Sequence, residues 1–410
     1  MLFPREIGCA WSCSFGSPTR FDDLRVFGRQ KAREEMPLQW RRVELGQEMA
    51  LNGPKSKILS SVWTDDDNVL LGTAGGNLIR CNVADYPTVR VSNVKRTGSD
   101  ERSRIAAIGY DRDRSLLAIN AMNGRDVKIA WARDGHFHEI ATLMGPEDIC
   151  LACDFDKRLG SNEICVYASS RDGYAYLWSF RIHRSHTIVW PARRWAVHKI
   201  INSRVEITGY TSGIGAYPRI RDLHYDPNRD VVHELVQTTF RRSEEICAIV
   251  ECRELSKNGL LIYSLPVAEW VGSLDVDQER TCSVVGTRSG LLLIDNACGT
   301  VIKRTEAPMS DFLTLDCPPM HIRPYNKTVK IRGNIISAGN TFGSLVFYDI
   351  RMLSDRGPLA RLMPDGPITR PFDEWVSLYT HAYSPDEMRL FTGGGFISTD
   401  YPLSEFAIWM

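Results

Sequence analysis

At 410 residues, 43% of them hydrophobic and 10% aromatic, the chain can fill one large core or several small ones. Fifty basic and fifty acidic residues cancel, which excludes a global field drawing the protein to nucleic acid or an anionic membrane and leaves charged recognition to local patches. No apolar run approaches the roughly 18 residues that a membrane span needs.

Pro4, Arg5 and Glu6 stand where a secretory leader would carry its apolar stretch, so the expectation is a soluble intracellular protein, cytoplasmic, nuclear or both. Eleven cysteines are scattered through strand-like runs, the pattern of reduced, buried thiols. Cys150 and Cys153 form one C-x-x-C without a second pair, and a plain strand would point the two thiols to opposite faces, so no metal or other cofactor is expected.

In chain order, residues 1–20 show no periodicity and are expected to be irregular or disordered. Asp22 and Asp23 are placed to cap a helix running through Leu24, Val26 and Phe27 to Met36, weakened by Gly28 and stopped by Pro37. Leu38 to Leu51 reads two ways: Val43, Leu45, Met49 and Leu51 alternate as a strand does, yet the segment also suits a helix.

From Lys57 the text becomes β-like and repeats one unit: a strand, a turn, a second strand, a Gly-rich turn and a third strand. Units fall at Ile58 to Val83, Ile105 to Trp131, Ile149 to Trp178, Trp270 to Ile294, the hairpin Ile335 to Tyr348, and Val376 to Trp409. A fourth unit in chain order opens at Ile220 to Tyr225, degenerates through Arg241 to Glu245 and recovers near Leu260 to Leu265. Seven units give a period of about 50, close to the roughly 40 to 50 of WD-type blades. The expected fold is therefore all-β, a seven-bladed WD-repeat β-propeller over 57–410, with residues 21–56 as an arm. A last blade ending in its third strand needs an outer strand from elsewhere, and Val43 to Leu51 is the expected donor that closes the ring.

There is no G-x-x-x-x-G-K-[ST], no H-E-x-x-H and no G-x-S-x-G, and Gly393-Gly394-Gly395 lacks a strand-to-helix context, so the chain reads as non-catalytic. His381, inside a strand, reads as a hydrogen-bonded structural histidine rather than a ligand or base. Tyr348-Asp349-Ile350-Arg351 and Trp178-Ser179-Phe180-Arg181 end third strands alike; either the polar pair satisfies itself or it faces a partner. Arg171 and Arg288 occupy turns between second and third strands, while Arg104, Arg221 and Lys327 stand at first-strand starts. In an up-down-up blade those positions meet at one rim of the channel, where five cations either form an anion site suited to carboxylates or are simply solvated.

Phe342 to Arg351, Tyr379 to Tyr383 with Leu390-Phe391 and Gly393-Gly394, and Ala407-Ile408-Trp409 resemble the last blades of the DDB- and cullin-4-associated factors. Weaker matches extend the resemblance over most of 37–410. It implies a WD-repeat substrate receptor that docks on the DDB-type adaptor of a cullin-4 RING ubiquitin ligase and holds proteins with acidic C-termini in its channel. The implied adaptor contacts are the arm, with Leu24 and Phe27, and the Asp-x-Arg box, with Tyr348, Asp349 and Arg351. The implied ligand contacts include Arg171 and Arg221, with Lys327 beside them, whereas Arg104 and Arg288 rest on spacing alone. The alternative is a WD-repeat scaffold in an unrelated complex. Ala74 stands where the family has a lysine, and the fourth unit lacks the family's Asp-Gly turn and carries an insertion around Arg241 to Leu255.

Overall fold

A computed structural model describes residues 56–84, 90–96, 104–121, 126–133, 136–146, 148, 150–155, 163–182, 187–189, 193–196, 219–238, 247–254, 259–306, 325–353, 358–362, 376–396 and 406–409. Residues 1–55 lie outside them, so the irregular leader, the arm with Leu24 and Phe27, and the strand expected from Val43 to Leu51 do too.

The described strands form seven antiparallel sheets. Blade 1 holds β1 (Ile58–Trp63), β2 (Asn68–Thr73), β3 (Asn77–Asn82) and β4 (Arg90–Arg96). Blade 2 holds β5 (Ile105–Asp111), β6 (Leu116–Ala121), β7 (Val127–Arg133) and β8 (His136–Leu143). Blade 3 has β9 (Cys150–Phe155), β10 (Ile164–Ser170) and β11 (Tyr174–Ile182), with β12 (Thr187–Val189) and β13 (Arg193–Ala196) both paired to β11. Blade 4 comprises β14 (Arg219–Asp226), β15 (Val231–Thr238), β16 (Cys247–Glu254) and β17 (Leu260–Val267). Blade 5 comprises β18 (Val271–Asp277), β19 (Cys282–Thr287), β20 (Gly290–Asp295) and β21 (Thr300–Glu306). Blade 6 comprises β22 (Asn326–Arg332), β23 (Ile335–Asn340), β24 (Leu345–Asp349) and β25 (Ala360–Leu362). Blade 7 shows three strands among the described residues, β26 (Val376–Tyr383), β27 (Leu390–Phe396) and β28 (Phe406–Trp409).

The second strands explain the ring. β10, β19 and β23 are buried at every position, which requires a partner on both faces and accounts for their continuous apolar text. Successive side chains on β10 serve opposite neighbours: Val166 packs toward blade 2 and Tyr167 toward blade 4. Seven apolar clusters result, one at each junction between adjacent blades. The junction of blades 7 and 1 is made like the rest, with Ile58, Val69 and Trp63 against Phe391 and Ile408. There the Trp63 indole N–H donates to the Ala382 carbonyl at 2.9 Å, the Ser61 and Thr380 hydroxyls meet at 2.8 Å, and Arg389 reaches Asp67 at 2.7 Å.

Blade 4, left open by the sequence, has four strands, and one expectation is corrected. β15 precedes the charged Arg241 to Glu245, which lies outside the described residues, and β16 falls within the insertion. These strands were hard to read because they bury charge, with His233, Glu234 and Glu251 fully enclosed and Arg253 nearly so. Arg253 answers both carboxylates, at 2.6 Å from Glu251 and 3.4 Å from Glu234. The correction is that Cys150 and Cys153 share one core cluster instead of facing apart. Ala152 pairs with Ser169 and Cys150 with Ser170, so Leu151 is an extra, bulged residue that shifts the alternation by one. Burial pushes the Cys150 thiol up to about 12 and that of Cys153 higher still, as befits inert core thiols.

Candidate functional site: the cationic mouth of the channel

The inner strands β1, β5, β9, β14, β18, β22 and β26 surround a channel of about 1490 Å³. Each enters from the same face, and each carries a bulge near its start. The bulged residues are Leu59, Ala106, Leu151, Arg221, Gly272 with Ser273, Lys327 and Tyr379, and all of them line the channel. A bulge re-aims a side chain out of the ladder, so this ring of irregularities decides what the mouth displays. Blades 4, 6 and 7 use it to present Arg221, Lys327 and Tyr379.

Blade 5 makes room. A Cβ on Gly272 would lie 1.9 Å from the Asn326 carbonyl oxygen, so β18 approaches β22 as only glycine permits. The Asn326 amide also donates to the Gly290 carbonyl at 2.8 Å, fixing the residue next to Lys327.

Around Lys327 the mouth is aromatic and basic. Its ammonium lies 3.8 Å from the ring centre of Tyr379 and 5.6 Å from that of Tyr325, which in turn sits 6.2 Å from Trp270. Burial, then the charges of Arg221 and Lys57, push Lys327 down to about 7. Lys57 is lowered in the same way, by burial and by Arg104. The Tyr325 and Tyr379 phenols are pushed up by burial, Tyr379 to about 12, and contribute no negative charge. Among the described residues no carboxylate pairs with Lys327.

Of the five cations singled out from sequence, Arg104, Arg221 and Lys327 line the channel, and Arg171 and Arg288 do not. Arg171 is exposed on its turn, 3.9 Å from Asp148, and Arg288 is half-buried, its backbone N–H bonded to the Trp270 carbonyl. Arg219 bridges the two groups: burial, Arg171 and Arg221 all lower it, while Asp148 opposes them. Arg221 is braced by its Nε–H donating to Gln237 Oε1 at 2.6 Å. Lys57, Arg219, Tyr325 and Tyr379 were missed in the sequence; Lys57 and Arg219 were findable, since both precede or open a first strand as Arg104 does. Ala74, the position of the family's lysine, lies on the channel lining.

Deeper in the channel the remaining cations meet carboxylates. Asp275 accepts from Lys330 at 3.2 Å, from Arg332 at 3.4 Å and from the Ile331 N–H at 2.8 Å. His224 stands between Asp222 and Asp275, at 3.5 and 3.9 Å. Burial alone would lower His224, but the two carboxylates raise it. His381 is structural: its Nδ1 meets the Thr328 hydroxyl at 3.1 Å and its Nε2 the Ser337 hydroxyl at 2.8 Å.

The Asp-x-Arg box lies at the opposite end of its blade. Asp349 ends β24 and caps a single 3-10 turn, Ile350–Met352, by accepting from the Arg351 N–H. The Arg351 side chain closes on the same carboxylate, Nη2 to Oδ2 at 2.5 Å, and this pairing holds Asp349 below the usual carboxylate range. Arg351 remains 53% exposed and Asp349 7%. Tyr348 is buried between blades 5 and 6, so Arg351 is the accessible member of the box. In blade 3 the strand continues through Arg181, which lies 3.9 Å from Glu163.

No family model and no curated protein matches the chain. Among solved structures it is similar to the WD40 β-propeller domain of Doa1, with a TM-score of 0.56 and 12% identity over 90% of this chain and 97% of that one. At that identity the likeness shows the fold, a seven-bladed WD40 β-propeller. Among the described residues no helix is long and apolar enough to cross a membrane.

Proposed function

We propose that this propeller recognises acidic protein termini and serves as a substrate receptor of a cullin-4 RING ubiquitin ligase, of the kind represented by member twelve of the DDB- and cullin-4-associated factors. The observation that carries the ligand reading is the mouth itself: Lys57, Arg104, Arg221 and Lys327 converge on aromatic walls, and Arg219 and Arg171 extend the basic surface outward. A terminal carboxylate with one or two acidic side chains meets several guanidinium and ammonium donors at once, and partial burial strengthens each contact. The ligase reading draws its support from the resemblance of the last blades and from the exposed Arg351. The protein itself carries no chemistry in this scheme; it holds a target, in the cytoplasm or nucleus, for the ligase to modify.

A scaffold in an unrelated assembly is the rival, and the closure of Arg351 on Asp349 favours it. Affinity purification followed by mass spectrometry separates the two. Recovery of the DDB-type adaptor with cullin-4 supports the receptor, and their absence from an otherwise specific set of partners refutes it. The ligand is tested independently by titrating a peptide ending in Glu-Glu and the same peptide with an amidated terminus. Equal binding of the two overturns the reading of the mouth.

A further inference from the structure

Lys327 differs from the other cations of the mouth in how its charge is supported. Arg221 is tied to Gln237 at 2.6 Å and, as a guanidinium, stays charged at any physiological pH. The Lys327 amine instead sits against tyrosine rings, 3.8 and 5.6 Å from their centres. The charged and titratable groups facing it come from every neighbouring element: Arg221 on β14, Lys57 ahead of β1, Arg104 ahead of β5, Tyr379 on β26 and Tyr325 before its own strand. Ahead of β18, Glu269 is engaged with Ser289 and Arg304. Among the described residues the charges that act on Lys327 are those of Arg221 and Lys57, and no carboxylate pairs with it.

We propose that Lys327 makes capture of an acidic terminus proton-coupled: the amine, set against the tyrosine rings among other cations, takes one proton from solvent as a carboxylate arrives. This rests on the reading that the mouth binds an acidic terminus and adds a specificity to it. The charge balance is simple, since one carboxylate enters and one amine becomes an ammonium. The low value of Lys327, about 7, agrees with this arrangement. The sign follows. A carboxylate raises the amine's pKa in the complex, so affinity is greatest below the free-state value and falls by up to tenfold per pH unit above it. The ligand carboxylates stay ionised throughout that range and add no slope.

The experiment is calorimetric titration of the Glu-Glu peptide at constant ionic strength from pH 6.5 to 8.5, in two buffers of different ionisation enthalpy. Wild type is expected to weaken by tenfold or more across the range and to take up close to one proton per peptide at the alkaline end. Lys327→Arg, charged throughout, should bind with less than a twofold change and no uptake. Lys327→Met, which keeps the stem against the rings, should bind weakly at every pH. A flat wild-type profile, or an equal slope in Lys327→Arg, overturns the proposal while leaving the ligand reading intact. If the peptide does not bind at any pH, the ligand reading fails and the amine is read directly. The pH dependence of acetylation at Lys327 by acetic anhydride, followed by mass spectrometry, should then show a midpoint near 7, and an ordinary midpoint above 9.5 overturns the proposal by itself. Circular dichroism of each variant checks the fold.

Discussion

At the scale of single residues, burial ranks the basic side chains that sequence position had made equivalent. Arg221 lines the channel, is half-buried and is oriented by Gln237, so Arg221→Ala is expected to weaken the Glu-Glu peptide by about 2 kcal/mol or more, as loss of an enclosed charged partner does. Arg171 is 47% exposed beside Asp148, and Arg171→Ala should cost under about 1 kcal/mol because water screens it. Arg288 lies off the lining, and its replacement by alanine should leave the titration unchanged. A reversed order in calorimetry would place the ligand on the outer turns instead of in the mouth. At the other end, Arg351→Glu sets a second carboxylate against Asp349. The expected outcome is loss of adaptor co-purification in a protein that still melts normally; retained binding assigns the box to capping the turn.

At the scale of elements, strands were legible wherever apolar alternation or a fully apolar run was the whole message, as in β2, β10, β19 and β23. Blade 4 was not, because β15 and β16 bury a polar set that reads like a loop. That set gives a test. Arg253→Met keeps volume and removes the cation that answers Glu234 and Glu251, and stranding buried carboxylates typically costs about 3 to 5 kcal/mol. The urea midpoint should fall accordingly, whereas a change below about 1 kcal/mol would mean that other groups carry those carboxylates. Bulges were the second blind spot. Sequence periodicity assumes strict alternation, so it placed Cys150 and Cys153 on opposite faces and reached the rim positions of Arg221 and Lys327 from strand starts, without the bulges that aim them. The extra residue at Leu151, Arg221, Lys327 and Tyr379 is a property of pairing between strands, which alternation within one strand does not express. Tyr379 was consequently read as part of a strand and not as the wall against Lys327.

At the scale of the whole molecule, seven junctions of similar construction make stability a collective property, and protons have a route to all of it. His233 and His381 are both enclosed, and burial pushes each down to about 3 from the ordinary 6.5. A histidine lowered in the folded state stabilises fully above its unfolded value, and that contribution is lost as pH falls from about 6.5 toward 3. With two such residues the unfolded chain binds about two more protons, so stability should fall by about 2.7 kcal/mol per pH unit in that window. His224, raised between Asp222 and Asp275, acts in the opposite sense: its contribution is complete below about 6.5 and is lost only as pH rises through its folded value. It therefore adds no slope on the acid side. Asp222 and Asp275, held low by the same cluster, act in the histidines' direction but only below about pH 4, where unfolded carboxylates begin to protonate. The urea midpoint should thus change little around pH 7, where His224 opposes the two enclosed rings, and drop steeply below about 6.5, before the carboxylates titrate. His381→Asn keeps hydrogen-bonding capacity toward Thr328 and Ser337 while removing one titrating group, and should halve the slope to about 1.4 kcal/mol per unit even if it lowers stability at neutral pH. A midpoint that stays level down to pH 4, or a slope that Asn at 381 leaves unchanged, would show that these rings take up their protons inside the folded ring.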